Sequence, residues 1–220
     1  MANQQSMSNS SIPAGAWLIR GGINDELVTA FQKKGAIALD WPDVGDLALI
    51  PSLDEFKSRV FQKFLGSSPE YIRDELQHLL WFMRLIAVGD YALIDNKRTE
   101  EVIIGKVIST VEYNVRLFGA NYPYVRRVQW IKPIARDLFT PEAQQDLYSI
   151  LPIEDIRSHR REIHKQVTGE EGDLEEAETF EANKDIDVLK ALVRELAWES
   201  EEFLESVLDI IFRGRPNFFR

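Results

Sequence analysis

The chain has 220 residues, of which 45% are apolar and 28% charged, with a net charge of −10 and no cysteine. That apolar fraction supports a sizeable core and argues against wholesale disorder. The lack of cysteine excludes disulfides, a cysteine nucleophile and a thiolate zinc site, and suits a reducing, cytoplasmic compartment. The charge is uneven: residues 1–168 hold 20 Lys+Arg against 21 Asp+Glu, a net of −1, and residues 169–220 hold 6 against 15, a net of −9. So small a positive complement argues against a protein that coats DNA through many phosphate contacts.

Residues 1–15, "MANQQSMSNSSIPAG", have no basic n-region or apolar h-region and read as a disordered lead-in. "AWLIRGG" (16–22) is an apolar strand ending in two glycines. "NDELVTAFQKKG" (24–35) opens on an Asn N-cap, carries acids in its first turn and lysines in its last, and stops at Gly, which predicts a compact helix. "AIALDW" (36–41) returns as a strand and breaks into the loop "PDVGD". "SLDEFKSRVFQKFLG" (52–66) and "SPEYIRDELQHLLWFMRLI" (68–86) predict two helices with Ser52 and Ser68 as N-caps; Glu55 completes a capping box in the first, and Pro69 fits N1 of the second.

Three β-branched or aromatic runs follow, "VGDYALID" (88–95), "VIIGKVISTVEYNV" (102–115) and "VRRVQWIKPI" (125–134). The order β-α-β-αα-β-β-β predicts an α+β domain over 16–167 whose small, curved, mixed sheet hides its edges by closing towards a barrel. Two further helices, "TPEAQQDLYSIL" and "IEDIRSHRREIHKQV" within 140–167, are expected on its outside. Residues 168–185 are acidic and poor in core-formers, hence a linker. Residues 186–220 carry apolar positions at helical spacing and predict a hairpin, with Ser200 capping its second helix. Its apolar face must dock on the domain, on a second copy or on a partner. No window approaches the roughly 20 apolar residues of a membrane span.

Motifs for catalysis are missing: there is no G-x-S-x-G, Walker loop or G-x-G-x-x-G. His159 and His164 are five apart and fall on different helix faces, so no metal site is expected, and no cofactor. The Asp/Glu-x-Lys triplet in "DEFK" (54–57) opens an amphipathic helix without a strand or partner acid, and reads as a solvated face. The tryptophans say more. Trp81 and Trp198 fall in helical patterns, where core packing explains them. Trp17, Trp41 and Trp130 fall in strands, where packing competes with a stacking role. Trp41 sits at a strand's lip beside a loop holding Asp43 and Asp46; a flat base between indoles, its polar edge read by a carboxylate, needs such an arrangement. Arg20 follows the first strand. Arg126 and Arg127 face opposite sides of another, so one can steady a phosphate while the other serves structure. "SHRREIHK" (158–165) reads as a solvated basic helix face.

Taken in order, "WLIRGG", "LVTAFQKKGAIALDWPDVGDL", "LWFMRLIAVGDYALI", "IIGKVISTVEYN" and "RRVQWI" resemble the N-terminal modification-sensing module of Mrr-type restriction proteins, an EVE-like member of the PUA-like superfamily. The similarity covers about residues 16–135. It implies a pseudobarrel that takes a flipped, modified base into an aromatic cage, with Trp17 and Trp41 as cage members, Asp46 as the loop acid, Tyr113 as a further wall, and Arg126 or Arg127 as a backbone contact; Arg20, Arg126 and Arg127 are the candidate phosphate-binding residues. Asp40 stands where the pattern usually has Gly. The nuclease that follows in Mrr-type proteins has no counterpart beyond an opening helix in the last residues, so no catalytic residues carry over. The resulting expectation is non-catalytic recognition of modified DNA in a restriction or defence system, with a nuclease partner or a homodimer formed through 186–220. The alternatives are a protein-interaction or structural component acting through its acidic helical C-terminus, and an RNA-binding PUA-like domain.

Overall fold

In the computed structural model the described residues are 11–172, except 23–24, 42–44, 47–48, 50–54, 56–57, 60–61 and 64–65. The lead-in over 1–10 and the linker and hairpin from 173 onward lie outside them, as does most of the helix expected over 52–66.

Seven strands form one sheet: β1 Ala16–Ile19, β2 Ala36–Leu39, β3 Tyr91–Asn96, β4 Glu101–Val107, β5 Glu112–Tyr113, β6 Tyr124–Ala135 and β7 Ile153–Asp155. Their order is β2-β6-β4-β3-β1-β7, with β5 also paired to β6. β1 and β3 run parallel; the other pairings are antiparallel. The domain is thus α+β, and its mixed sheet curls into a half-barrel. The helices are α1 Val28–Lys34, α2 Pro69–Leu80, α3 Val115–Phe118, α4 Pro141–Leu147 and α5 Arg160–Thr168.

Both faces of the central strands are buried, which is why they read as unbroken apolar runs rather than alternating ones. Trp17, Ile19, Ala92, Ile94, Ile103 and Val107 belong to one core with Phe31 of α1 and Leu76 and Leu79 of α2. The alternate residues Ala16, Leu18, Tyr91, Leu93, Val102 and Ile104 belong to a second core with Ala143 and Leu147 of α4 and Ile163 of α5. β4 bulges between Ile104 and Gly105. A Cβ on Gly105 would sit 2.6 Å from Val128 and 2.7 Å from the Trp130 ring, so only glycine permits that approach.

Two buried polar groups tie the elements together. Asp90, just ahead of β3, accepts through Oδ1 from the Gly15 N–H and through Oδ2 from the Trp17 indole and the Ala87 N–H, each at 2.9 Å. Arg126 of β6 donates to the carbonyls of Phe82 at 2.7 Å, Met83 at 3.2 Å and Ser109 at 3.2 Å. The first two belong to a π-helical turn, Trp81–Leu85, that extends α2 and closes with the Ile86 N–H on the Trp81 carbonyl at 3.0 Å. A wide turn leaves carbonyls short of partners, and Arg126 supplies them.

Where the sequence predicts helix over "IEDIRSHRREIHKQV", the chain instead enters β7 and takes helical form only from Arg157. The reason is tertiary. β1 has an open edge, and Ile153, Glu154 and Asp155 cover it in register with Ile19, Leu18 and Trp17. The run expected as one strand over 102–115 likewise divides into β4 and the short β5. Ser68 caps α2 with Pro69 behind it, and Gly35 ends α1 in the left-handed region, both as the sequence signals. α1 starts later than expected, at Val28, because Asp25 takes a positive φ and its carbonyl accepts the Val28 N–H.

Candidate functional site

β1 and β2 are joined through α1 but are not neighbours in the sheet: β3, β4 and β6 lie between them. The curl brings their C-terminal ends to one cleft. Arg20 and Gly22 line it from β1, Ala38, Leu39 and Asp40 from β2, Tyr122 from the turn before β6, and Pro152 from the residue before β7; its cavity volume is about 100 Å³. Leu39, Ala38 and Pro152 give it apolar walls. Arg20 supplies donors, Asp40 a charged acceptor, and Tyr122 a ring with a hydroxyl. Few polar groups around an apolar slot is the usual make-up of a small-ligand site.

Local structure sets each of these side chains. Asp40 is the exposed residue that ends a fully buried strand. Tyr122 follows a turn closed by its N–H on the Gly119 carbonyl at 3.2 Å, and its hydroxyl donates to Glu26 at 3.4 Å. Gly22 has a φ of +88°, and a Cβ there would meet the Glu26 carboxylate at 2.4 Å. Arg20 Nη1 donates to the Ile150 carbonyl at 2.6 Å, linking the cleft to the loop before β7. Burial, then Glu26 and Asp40, push the Tyr122 phenol up. Burial, Glu75 and Asp40 do the same to Tyr71, which stands exposed in the first turn of α2. The Asp40 carboxylate therefore acts on two tyrosines, and both hydroxyls stay protonated donors at neutral pH.

Of the residues singled out from the sequence, Arg20 is the one that lines this cleft. Trp17 is 0% exposed, its indole spent on Asp90 and its ring 5.9 Å from that of Trp81. Trp41 is 1% exposed and belongs to the same core, with Lys63 Nζ 5.5 Å from its ring centroid. The two indoles thus serve as core rather than as open walls of a cleft. Trp130 ties α1 to the sheet by donating to the Phe31 carbonyl at 2.9 Å. Asp46 is half-buried, and its carbonyl accepts the Leu49 N–H at 2.9 Å. Tyr113 packs edge-on to Tyr124 at 5.4 Å, and the Tyr124 hydroxyl donates to the Gly45 carbonyl, so this pair anchors the loop after β2.

Arg126 and Arg127 do face opposite sides. Arg126 is buried on its three carbonyls, and burial lowers its pKa to about 10. Arg127 lies towards solvent and pairs with Glu112 at 2.8 Å. Neither lines the cleft.

Tyr122 and Pro152 escaped sequence reasoning, and Asp40 was noticed only as a departure from a pattern. The one local signal was Asp40 itself, a lone charge closing the apolar run "AIAL". The others reach the site from distant parts of the chain. Among the described residues no cluster of three or more His, Asp or Glu is placed to hold a metal ion, and no helix is long and apolar enough to cross a membrane.

No curated protein matches the chain, and no solved structure does. Residues 17–146, more than half the chain and running from the first core tryptophan into α4, match the family described as a domain of unknown function, DUF8426, and the chain belongs to that family.

Proposed function

We propose that the domain is a non-catalytic reader of modified DNA, in which one extruded base enters the cleft between the ends of β1 and β2. The observation that carries this reading is the placement of the Asp40 carboxylate, the Arg20 guanidinium and the Tyr122 ring around one small, partly apolar slot. A base with an exocyclic amine beside a ring nitrogen or carbonyl presents the complementary edge: the amine donates to Asp40 and the acceptor faces Arg20. The contact surface moves from the two indoles, which are core, to the Tyr122 ring. Stacking on an aromatic side chain contributes roughly 1–3 kcal/mol, while unstacking the base costs a few. Selectivity for a modified base therefore rests on the polar contacts and on the fit of the slot. In a restriction setting the reader would deliver a partner nuclease, or pair with a second copy, through residues 186–220.

Fluorescence anisotropy tests this. Duplexes carrying one cytosine, 5-methylcytosine or 5-hydroxymethylcytosine are titrated with wild-type protein and with Asp40→Ala and Tyr122→Ala. The reading expects a preference of about tenfold or more for one modified duplex, equal to about 1.4 kcal/mol, and its loss in both variants. Equal, weak binding of every duplex by all three proteins overturns it.

A further inference from the structure

The loop joining α4 to β7 presents three large apolar side chains to solvent within four residues: Tyr148 is 55% exposed, Ile150 73% and Leu151 42%. Single exposed apolar residues are ordinary on any surface; three together on a fixed loop are not. The loop is held from several directions. Arg20 Nη1 donates to the Ile150 carbonyl at 2.6 Å, and Ser149 Oγ donates to Glu154 at 2.8 Å while accepting the Leu151 N–H at 3.2 Å. At its base the Arg136 guanidinium lies 5.0 Å from the Tyr148 ring centroid. Pro152, the next residue, is a wall of the cleft, and Arg20 is another. The same arginine therefore faces the slot and fixes the tip beside it.

We infer that the Tyr148–Leu151 loop is a wedge that enters a duplex next to the cleft and fills the gap left by the extruded base. Apolar side chains inserted between base steps are a known means of unstacking DNA, and Ile and Leu are among those used. Hydrogen bonds that fix the loop beforehand reduce the ordering lost on insertion. Exposing Ile150 to water in the free protein is offset when the stacked bases cover it. This inference rests on the base-reading function proposed above and adds the element that opens the helix.

The experiment uses full-length protein and two duplexes with 2-aminopurine beside one modified cytosine, 5-methylcytosine or 5-hydroxymethylcytosine, whichever is preferred in the anisotropy titration, one duplex fully paired and one with that cytosine already mismatched. Wild-type protein raises 2-aminopurine fluorescence on the paired duplex, reporting unstacking. Ile150→Ser combined with Leu151→Ser loses that rise and binds the paired duplex about tenfold more weakly, yet binds the mismatched duplex within about twofold of wild type. Ile150→Leu keeps wild-type behaviour, and because Ile150 and Leu151 both lie at the surface, thermal melts show every variant folded at the binding temperature. If the double variant weakens equally on both duplexes, or on neither, the loop is an ordinary surface contact or none, and the wedge is overturned while base reading stands. If wild-type protein binds neither duplex, base reading falls and the wedge with it.

Discussion

Asp90 shows how much one buried side chain carries. Its carboxylate joins the entry to β1, the Trp17 indole and the end of the π-helical turn, and a Cβ on Gly15 would lie 2.2 Å from its oxygen. Burial raises its pKa above the usual 3.8, against the opposing pull of its three N–H donors and of Arg126. Between the unfolded pKa and the raised native one, the native state therefore holds a proton that the unfolded chain has already released. Stability from this group is fully present below about pH 4 and declines as pH rises through the raised native pKa. Asp90→Asn removes that titration but turns an amide N–H₂ towards one of the donors. It should cost about 1–3 kcal/mol at pH 7. The gap between the denaturation curves of the wild type and of Asp90→Asn should change with pH across this window, the wild type losing stability relative to the variant as pH rises. A gap that stays constant from about pH 4 to 7 contradicts the assignment. None of this was legible from "VGDY", because the donors come from residues 15, 17 and 87, and nothing in so short a motif announces them.

Among the elements, β1 to β4 were the most readable because burial on both faces makes them apolar almost throughout. β7 and the π-helical turn were not readable, since each answers a need created elsewhere: β7 covers the open edge of β1, and the turn's spare carbonyls are met by Arg126, 44 residues beyond Phe82. That dependence gives a prediction. Arg126→Met removes the donor from the buried Phe82 carbonyl and from the part-buried Met83 and Ser109 carbonyls, and should cost about 1–3 kcal/mol or more in urea unfolding, the range for leaving a buried acceptor unsatisfied. Arg126→Lys should restore only part, since one ammonium lacks the fork that spans two successive carbonyls. If Arg126→Met is as stable as wild type, the guanidinium is not what holds the turn. At the bulge, Gly105→Ala should cost about 1–3 kcal/mol through overpacking against Val128 and Trp130; a neutral effect shows that the sheet relaxes there.

Across the whole molecule, charge and curl decide what the surface can do. A front part of net −1 carries no excess of cations, and the arginines of β6 are spent on carbonyls and on Glu112. Binding to DNA should therefore rest on roughly two or three phosphate contacts, giving a shallow slope of about −2 to −3 in log K against log salt. A slope near about −8 means that a basic surface other than the cleft dominates. The sequence showed that a small curved sheet would form, but not where its slot would lie. The cleft gathers residues from both ends of the domain, and the tryptophans that looked like a cage from their strand positions turned inward because the second face of the sheet also had to be covered.

The most direct measurement is backbone amide chemical-shift mapping of the labelled protein with a short duplex containing one 5-hydroxymethylcytosine or 5-methylcytosine. Ligand entry between the ends of the first two strands predicts the largest shifts at residues 20–22, 38–41, 122 and 150–152. Shifts centred instead on the Glu112–Arg127 side, or spread thinly over the basic residues of α5, place the contact elsewhere and contradict the account.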